Sequence, residues 1–337
     1  MKCVVALDAM GGDFAPAAVV LGGVEAYHKF QNKLDVILVG KKDEIKSILS
    51  KNNLHFPDNK IIHADEVIGM GEMPTDAIRN KPNSSIVVAA KLVKENKAHA
   101  FVSAGNTGAV AAASTLIIGR LEGVERPTIG AILPSESGFC AVFDVGAFVD
   151  AKPQHLLSYA LMADIYVCEI LKVENPTVGI LSVGEEKDKG NKLTKDATEL
   201  LSKSKLNFIG NVEGRDILKG IANIVICDGF IGNILLKFGE SVPKYMKHLL
   251  TLYAKESFFK KIKIGLLKNT LKEALSPLDY QKYGGVPLLG VNGIAIIGHG
   301  SSTSLAIKNM VLRAYEVYER GITDRIRSTL KEIGMKE

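Results

Sequence analysis

The sequence contains few cysteines, four in 337 residues. Secreted disulfide scaffolds are much richer in cysteine, and structural metal sites usually draw on closely spaced pairs. Here each cysteine stands alone in an apolar run: Cys3, Cys140, Cys168 and Cys227. We therefore expect four buried thiols in a reducing compartment, with neither a disulfide framework nor a metal site.

Long apolar runs are also absent. No stretch approaches the roughly 18 to 20 uninterrupted apolar residues that cross a bilayer. The run after Met1 reaches Asp8 too soon for a signal peptide. We expect a soluble cytoplasmic protein, which leaves contact with a membrane surface open. The formal net charge of +5 is small for this length and does not by itself indicate nucleic-acid binding.

Several familiar catalytic motifs are missing as well. The sequence has no Gly-x-x-x-x-Gly-Lys-Ser/Thr loop, no Gly-x-Ser-x-Gly nucleophile elbow and no His-Glu-x-x-His zinc helix. These absences argue against a nucleotide triphosphatase, a serine hydrolase of that type and a zinc peptidase. No Gly-x-Gly-x-x-Gly fingerprint follows the first apolar run. This absence weakens the case for a dinucleotide-dependent dehydrogenase without excluding it.

What the sequence does show is a regular alternation of short apolar runs with helical segments. Near-continuous hydrophobicity in such runs is typical of strands that are buried on both faces. The predicted strands are 3–7, 36–39, 60–63, 100–103, 128–133, 139–143, 177–181, 207–210, 224–227 and 294–297. The predicted helices include 15–30, 85–96, 107–118, 154–171 and 303–320. This pattern predicts a three-layer α/β/α fold, doubly wound around a mostly parallel sheet.

The middle of the sheet is expected to be mixed. The runs 128–133 and 139–143 are separated only by residues 134–138, a spacing that suits a β-hairpin. The sequence shows no internal repeat and no low-complexity linker. We therefore predict a single catalytic α/β domain over residues 1–337.

The alternation stops after residue 230, where helix is expected without a strand. Residues 240–276 are predicted to form an amphipathic helical pair within the domain, with Gly265 at the turn between its helices. Between 244 and 273 this segment carries eight lysines against two glutamates, interleaved with apolar residues. Such a pattern is typical of a helix that contacts a membrane surface or an acidic protein, and equally of a solvated face over a dimer interface.

Polar turns that contain glycine follow four of the predicted strands. They occupy residues 8–13, 103–108, 228–233 and 298–303. Open α/β sheets bind ligands at the carboxyl ends of their strands, and helix N-termini attract anions. Helix capping accounts for single residues of these turns, but it does not account for the glycines beside them. We expect the four turns to meet in one cleft that binds an anionic ligand.

A further loop, residues 184–192, contains Lys187, Lys189 and Lys192. Most charged loops of this kind are simply solvated. In an enzyme that acts on phosphate, a lysine at this position would offset developing charge.

These motifs together resemble the bacterial phosphate acyltransferase family, the acyl-carrier-protein:phosphate acyltransferases of phospholipid synthesis. The matching segments follow in order along nearly the whole chain: 8–13, 79–85, 102–109, 126–127, 144–147, 184–191, 210–216, 227–235, 283–290 and 299–302. The chain departs from the family pattern at Phe148, Ala151 and Thr303, where asparagine, cysteine and asparagine are usual. The first departure removes an expected polar contact.

The resemblance implies that a long-chain acyl group passes from acyl carrier protein to inorganic phosphate, giving acyl phosphate for phosphatidic acid and phospholipid synthesis. It also implies a homodimer with the fold of isocitrate and isopropylmalate dehydrogenases and of phosphate acetyltransferases, without metal or organic cofactor. Phosphate is a competent nucleophile and a thiolate is a good leaving group, so the reaction needs no serine or cysteine nucleophile. The site must instead position two anionic groups and stabilise a tetrahedral oxyanion.

The residues expected to perform this chemistry fall into three roles. Asp8, Asp228 or His299 would transfer the proton, although each has a structural alternative as a loop cap or a strand-end residue. Asn106 and Asn233 are candidate oxyanion donors, while Lys187, Lys189 or Lys192 would offset charge. Phosphate would be bound by Gly11, Gly12, Ser103, Gly105, Thr107, Gly108, Gly232, Gly300, Ser301 and Ser302.

The resemblance also gives the helical pair a function. Its tip would contact either the membrane or the acidic carrier protein, through Phe258, Phe259, Lys260, Lys261, Lys263, Leu266 and Leu267. We therefore expect peripheral association with the inner face of the cell membrane, and a downstream membrane acyltransferase as a further partner.

Three other functions would share some of these features. The main alternative is a short-chain phosphate acetyl- or butyryltransferase that uses coenzyme A thioesters. A dehydrogenase of the isocitrate type would need a cluster of metal-binding aspartates that the sequence does not show. A membrane-surface scaffold with a vestigial site is opposed by the intact turns.

Overall fold

The computed structural model describes residues 2–275 and 284–333. Met1 and residues 334–337 of the predicted domain lie outside the described residues. So do residues 276–283, which include the last residue of the predicted helical pair and the first of the family segment 283–290. Within the described residues, one eleven-stranded sheet carries helices on both faces.

The strands match the predicted runs, with one addition near the C-terminus. Their bounds are β1 Cys3–Asp8, β2 Leu34–Gly40, β3 Ile61–His63, β4 Ala100–Ser103, β5 Thr128–Ser135, β6 Gly138–Phe143, β7 Thr177–Ser182, β8 Asn207–Glu213, β9 Ile224–Ile226, β10 Val286–Leu289 and β11 Ile294–Ile297. Across the sheet their order is β3-β2-β1-β4-β11-β10-β5-β6-β9-β7-β8.

Helices and strands alternate along much of the described chain, but α3 and α4, α9 and α10, and α11 and α12 follow one another without a strand between them. The bounds of the helices are α1 Ala17–Phe30, α2 Lys42–Lys51, α3 Pro74–Asn80, α4 Ser85–Lys94, α5 Thr107–Ala113, α6 Pro153–Ile170, α7 Lys192–Ser202, α8 Asp216–Lys219, α9 Gly229–Lys255, α10 Phe258–Ala274, α11 Ser304–Glu319 and α12 Ile322–Glu332. A π-helical segment, Ser114–Ile118, continues α5, and a short 3-10 helix, Asp58–Lys60, precedes β3.

The central strands are buried on both faces, as their composition predicts. In β1, the side chains of Val5 and Leu7 belong to the core cluster on one face, whereas Ala6 belongs to the cluster on the other. All three are inaccessible to solvent. Neither face of a strand that packs against helices on both sides is exposed to solvent. Polar side chains are therefore unfavourable on both faces, which explains the continuous apolar runs.

Strand direction reverses in the middle of the sheet. β1 to β4 and β11 are mutually parallel through neighbouring pairs. Antiparallel pairs then follow in succession: β11 with β10, β10 with β5, and β5 with β6. Because three reversals separate them, β6, β9, β7 and β8 run opposite to β1, β4 and β11. The predicted hairpin and the mixed, doubly wound α/β fold are confirmed.

The helical pair consists of α9 and α10, and its turn is not where the sequence indicated. Gly265 lies inside α10, so the predicted turn at this residue is wrong. The break falls at Glu256 and Ser257, where Ser257 is extended and its hydroxyl accepts a hydrogen bond from Lys260 N at 3.3 Å. Serine is a favourable N-cap, whereas one exposed glycine costs a helix only about 1 kcal/mol and does not end it.

Among the described residues, no helix combines the length and the apolar character that a membrane crossing requires.

Candidate functional site

Three of the four glycine-containing turns meet at one edge of the sheet. They follow β1, β4 and β11, which are adjacent and parallel. Asp13 N donates a hydrogen bond to Gly300 O at 2.7 Å, and Gly298 N donates to Ser103 O at 2.8 Å. Residues 8–13, 103–108 and 298–303 therefore form one surface, which we call the three-turn cluster.

Asp8 is the buried anchor of the three-turn cluster. Its Oδ2 accepts a hydrogen bond from Ser103 Oγ at 2.6 Å, and its Oδ1 accepts one from Met10 N at 3.1 Å. Burial raises the pKa of this carboxyl, while hydrogen bonds from Ser103 and Ser85 oppose the rise. Ser103 Oγ also accepts from Gly105 N at 3.0 Å. Asp8 thus joins the first two turns from beneath.

The first two turns approach each other through glycine. A β-carbon at Gly11 would overlap Asp8 Oδ2 and would lie only 2.7 Å from Gly105 N. Gly12 has a φ of +113°, a conformation that residues with side chains rarely adopt. Glycine at both positions therefore leaves backbone, rather than side chain, at the surface of the cluster.

Asn106 holds a neighbouring segment against the cluster. Its Oδ1 accepts a hydrogen bond from Ala109 N at 3.0 Å and so caps α5. Its Nδ2 donates to the carbonyls of Gly69, Met70 and Glu72 at 3.0 to 3.2 Å. An oxyanion role for this amide would require at least one of these bonds to be released.

The segment that Asn106 holds is fixed from a second side. Glu72 Oε1 accepts hydrogen bonds from Gly69 N and from Lys81 Nζ, each at 2.6 Å. The methyl group of Met70 lies beside Gly300, 3.0 Å from where a β-carbon on that glycine would be. Thr107 is exposed at the start of α5, and Gly108 packs against Pro74.

His299 is linked to its own turn and to α9. Its Nδ1 accepts a hydrogen bond from Ser301 N at 3.1 Å and lies 2.7 Å from Ser301 Oγ. Its Nε2 lies 3.5 Å from Glu240 Oε2. Hydrogen bonds from His299 and then Lys237 lower the pKa of Glu240 to about 2. Ser302 Oγ donates to the carbonyl of His299 at 2.6 Å.

The fourth turn lies at the opposite edge, because β9 runs antiparallel to β1, β4 and β11. There Asp228 caps α9, accepting hydrogen bonds from Phe230 N and Ile231 N at 3.0 Å. Gly232 packs against the backbone of Asp144, and Asn233 lies beside Gly146. The structure therefore does not bring Asp228, Gly232 and Asn233 together with the three-turn cluster within one chain.

Asp144 organises this second edge from a buried position. Its carboxylate accepts hydrogen bonds from the backbone N–H groups of Ile129, Gly146, Ala147 and Phe148. Burial nevertheless raises its pKa to about 6. The backbone of the loop that follows β6 is thus held by hydrogen bonds to a single carboxyl group.

The lysine-containing loop belongs to the second edge as well. It follows β7, which is parallel to β9, and the side chains of Lys187, Lys189 and Lys192 are exposed. Asn211 Nδ2 on β8 holds the loop by donating to Glu186 O at 2.7 Å. Within one chain these lysines are remote from His299.

Phe148, one of the departures from the family pattern, also lies at this edge. The guanidinium of Arg126 stacks over its ring, 4.7 Å from the ring centroid. The position therefore makes a cation–π contact in place of the polar contact expected of asparagine.

Sequence reasoning missed four residues that shape these two edges. Ser85 and Asp144 lie within family segments, but their spacing gave them no role. Glu72 lies in a loop and Glu240 in a helix, and no motif in the sequence marks either residue. Within the described residues, no group of three His, Cys, Asp or Glu side chains is placed to hold a metal ion.

Comparison with known proteins gives consistent relatives along the whole chain. The model of a family described as "Fatty acid synthesis protein" matches residues 3–325. A phosphate acyltransferase from Pelotomaculum thermopropionicum is 44% identical over 332 residues, covering 98% of this chain and 96% of the relative. One from Desulfitobacterium hafniense is 47% identical over 328 residues, covering 97% of each chain.

Solved structures with the same fold include two acyl-transferring enzymes. A phosphotransacetylase from Streptococcus pyogenes superposes with a TM-score of 0.60 at 19% identity, covering 95% of this chain and 94% of that one. A branched-chain phosphotransacylase from Enterococcus faecalis gives 0.54 at 14% identity, covering 95% and 99%. At such identities the likeness shows the fold alone.

Proposed function

Because the chain belongs to the phosphate acyltransferase family, we propose that it transfers a long-chain acyl group from acyl carrier protein to inorganic phosphate. The resemblance found in the sequence is thereby confirmed at the level of the family, and the chain is an acyltransferase. The carrier protein as acyl donor, the chain length and the residues that act are the proposed parts.

The three-turn cluster is the observation that carries the proposal. Its turns offer glycine backbone and hydroxyl groups, and none of their eighteen residues is a cysteine or a lysine. Such a surface is suited to binding an oxyanion through N–H and O–H donors. It is not built around a thiol nucleophile, which agrees with direct attack by phosphate.

In the proposed reaction, an oxygen of phosphate forms a bond to the thioester carbonyl carbon. The resulting oxyanion collapses, the carbon–sulfur bond breaks, and the carrier's thiolate leaves. His299 takes the proton that dihydrogen phosphate loses and returns it to the thiolate, so no other reactant is consumed. Gly11, Gly12, Gly105, Thr107, Gly108 and Gly300 to Ser302 are the proposed phosphate contacts.

The contacts of Asp8 and Asn106 favour positioning roles over contact with substrate. Asp8 has no exposed surface and is already bonded to Ser103 and Met10. The amide nitrogen of Asn106 is already hydrogen-bonded to carbonyl groups of the segment 69–72. In this proposal Asp8 and Asn106 fix the positions of the turns relative to one another. His299 remains the candidate for proton transfer.

The residues of the second edge act in this reaction only through a second copy of the chain or through movement. We propose a homodimer, because α9 carries exposed apolar side chains at helical spacing, among them Ile234, Val242, Leu249 and Leu252. Such a stripe is typical of a helix that packs on another helix. Lys187, Lys189, Lys192, Asp228 and Asn233 stay candidate substrate contacts.

The tip of the helical pair is proposed to contact a membrane surface or the carrier protein. Phe258, Phe259 and Leu266 are each more than 70% exposed there, beside Lys261 and Lys263. An apolar tip ringed by lysine suits anionic lipid, and lysine also complements an acidic protein. Peripheral association with the cell membrane and delivery to a downstream membrane acyltransferase belong to the same proposal.

The donor is tested by measuring thiol release from palmitoyl-acyl carrier protein with and without inorganic phosphate, in parallel with acetyl-coenzyme A. We expect phosphate-dependent release from the long-chain donor only. Activity confined to acetyl-coenzyme A would instead support the short-chain phosphate acetyl- or butyryltransferase. Activity with neither donor would contradict both assignments.

A further inference from the structure

Glu240 is a carboxylate on α9 that is turned back onto the three-turn cluster. It lies eleven residues after Gly229, the first residue of α9, which is roughly 16 Å along a helix. α9 thus starts at the second edge of the sheet and passes the first edge near Glu240. The side chain is only 23% exposed, while its neighbour Phe238 is 69% exposed.

Lys237 and His299 flank the Glu240 carboxylate. Oε2 is 3.0 Å from Lys237 Nζ and 3.5 Å from His299 Nε2. With a pKa lowered to about 2 by His299 and Lys237, the group carries its charge throughout the neutral range. A fixed negative charge next to a phosphate site opposes the binding of phosphate. Its contribution to the reaction must therefore come from something other than affinity for phosphate.

The hydrogen bonds of His299 show what that contribution is. Ser301 N donates to Nδ1, and a backbone N–H has no lone pair with which to accept a hydrogen bond. Nδ1 must therefore carry the lone pair, and the proton of the neutral ring is on Nε2. This Nε2 lies 3.5 Å from Glu240 Oε2.

We infer that Glu240 is a positioning residue that, together with Ser301 N, holds His299 in its Nε2–H tautomer. Nδ1, beside Ser301 Oγ, is then the nitrogen that accepts the proton once its hydrogen bond from Ser301 N is released. The carboxylate also stabilises the imidazolium that forms when Nδ1 takes a proton from phosphate. The effect of Glu240 on turnover rests on the proposed function, whereas its effect on the tautomer does not.

The first test is Glu240→Gln, assayed for phosphate-dependent turnover. We expect kcat to fall about 10- to 100-fold, the loss that is typical when the hydrogen-bonded partner of a metal-binding histidine is removed. KM for phosphate should stay the same or decrease, because a repelling charge is lost. The matched control is Glu199→Gln, which removes an exposed carboxylate on α7 that pairs with Lys203. This control should be unchanged.

A double-mutant cycle separates positioning from general damage. If Glu240 acts through His299, Glu240→Gln should cause no further loss in a His299→Gln background. Multiplicative losses in the double variant would overturn the inference. So would a raised KM for phosphate with kcat unchanged, because that pattern indicates a disturbed binding surface.

The tautomer is read directly from the ring nitrogens of His299 by 15N NMR of the full chain, assigned by difference with His299→Gln. We expect the Nε2–H form in the wild type and a larger share of the Nδ1–H form in Glu240→Gln, because only the hydrogen bond from Ser301 N then opposes it. An unchanged tautomer in the variant contradicts the inference, whatever the activity. If the tautomer shifts in the variant but the wild type shows no phosphate-dependent turnover, the inference about Glu240 is supported and the proposed function is contradicted.

Discussion

Gly11 shows how a single residue sets the shape of the anion-binding surface. Replacing it with alanine would press a methyl group against Asp8 Oδ2 and Gly105 N. We expect Gly11→Ala to lower the free energy of unfolding by about 1 to 3 kcal/mol, the usual cost of overpacking. It should also reduce phosphate-dependent turnover more than tenfold, because the two turns move apart.

The matched control is Gly214→Ala, since no heavy atom lies within 4 Å of a β-carbon at that glycine. Urea unfolding and the thiol-release assay measure both effects. Equal stability and equal turnover in the two variants would show that the close approach of the first two turns is not needed.

At the same scale, the sequence could indicate residues at strand ends but not their partners. Asp8 directly follows a buried apolar run, and His299 follows one after a single glycine, so both stand out in the sequence. Glu240 is 59 positions before His299 in the sequence, and only the path of α9 across the sheet brings them together. Ser85 reaches Asp8 from the first turn of α4 in the same way. Such pairings depend on how the helices pack against the sheet. The periodicity of apolar residues in the sequence does not specify that packing.

At the scale of elements, one short strand decides which turns can meet. β10 was not predicted, because Pro287 interrupts a run of only four residues and proline disfavours strands. It nevertheless pairs with both β11 and β5 and adds a reversal of direction. Without this strand the direction of β9 relative to β4 could not be derived. A common cleft for all four turns would require their strands to run in the same direction. The strand before the fourth turn runs opposite to the other three, so the four turns do not meet.

The tip of the helical pair supports a prediction of its own. We expect Leu266→Glu combined with Leu267→Glu to abolish binding to vesicles of phosphatidylcholine and phosphatidylglycerol, because charge replaces the apolar tip. Turnover in solution should be retained. Leu218→Glu on α8, a similarly exposed leucine at 59%, is the control and should not change vesicle flotation. Loss of turnover with vesicle binding intact would instead indicate that the tip contacts the carrier protein.

At the scale of the whole molecule, the order of strands and helices could be predicted from the sequence far better than the assembly. Continuous apolar runs in β1, β4 and β11 identify strands buried on both faces, and this alone indicates a layered α/β fold. The exposed apolar stripe of α9 is not distinguishable in the sequence from an amphipathic face turned to the core. The single catalytic domain over residues 1–337 stays a prediction.

The homodimer is tested by sedimentation velocity. We expect the wild type to sediment as a dimer and Leu249→Asp to sediment as a monomer at the same concentration, because a charge in the apolar stripe opposes helix packing. Thr251→Asp, on the same helix but outside the stripe, should remain dimeric. A wild-type monomer at micromolar concentration would remove the second copy from the proposal.

The central claim is that inorganic phosphate itself receives the acyl group. The most direct measurement is 31P NMR of the purified protein with palmitoyl-acyl carrier protein and inorganic phosphate. The account predicts a new acyl phosphate resonance that grows in step with the release of carrier thiol and is lost in His299→Gln. Thiol release that leaves the phosphate signal unchanged would mean that water, not phosphate, is the acceptor, and would contradict it.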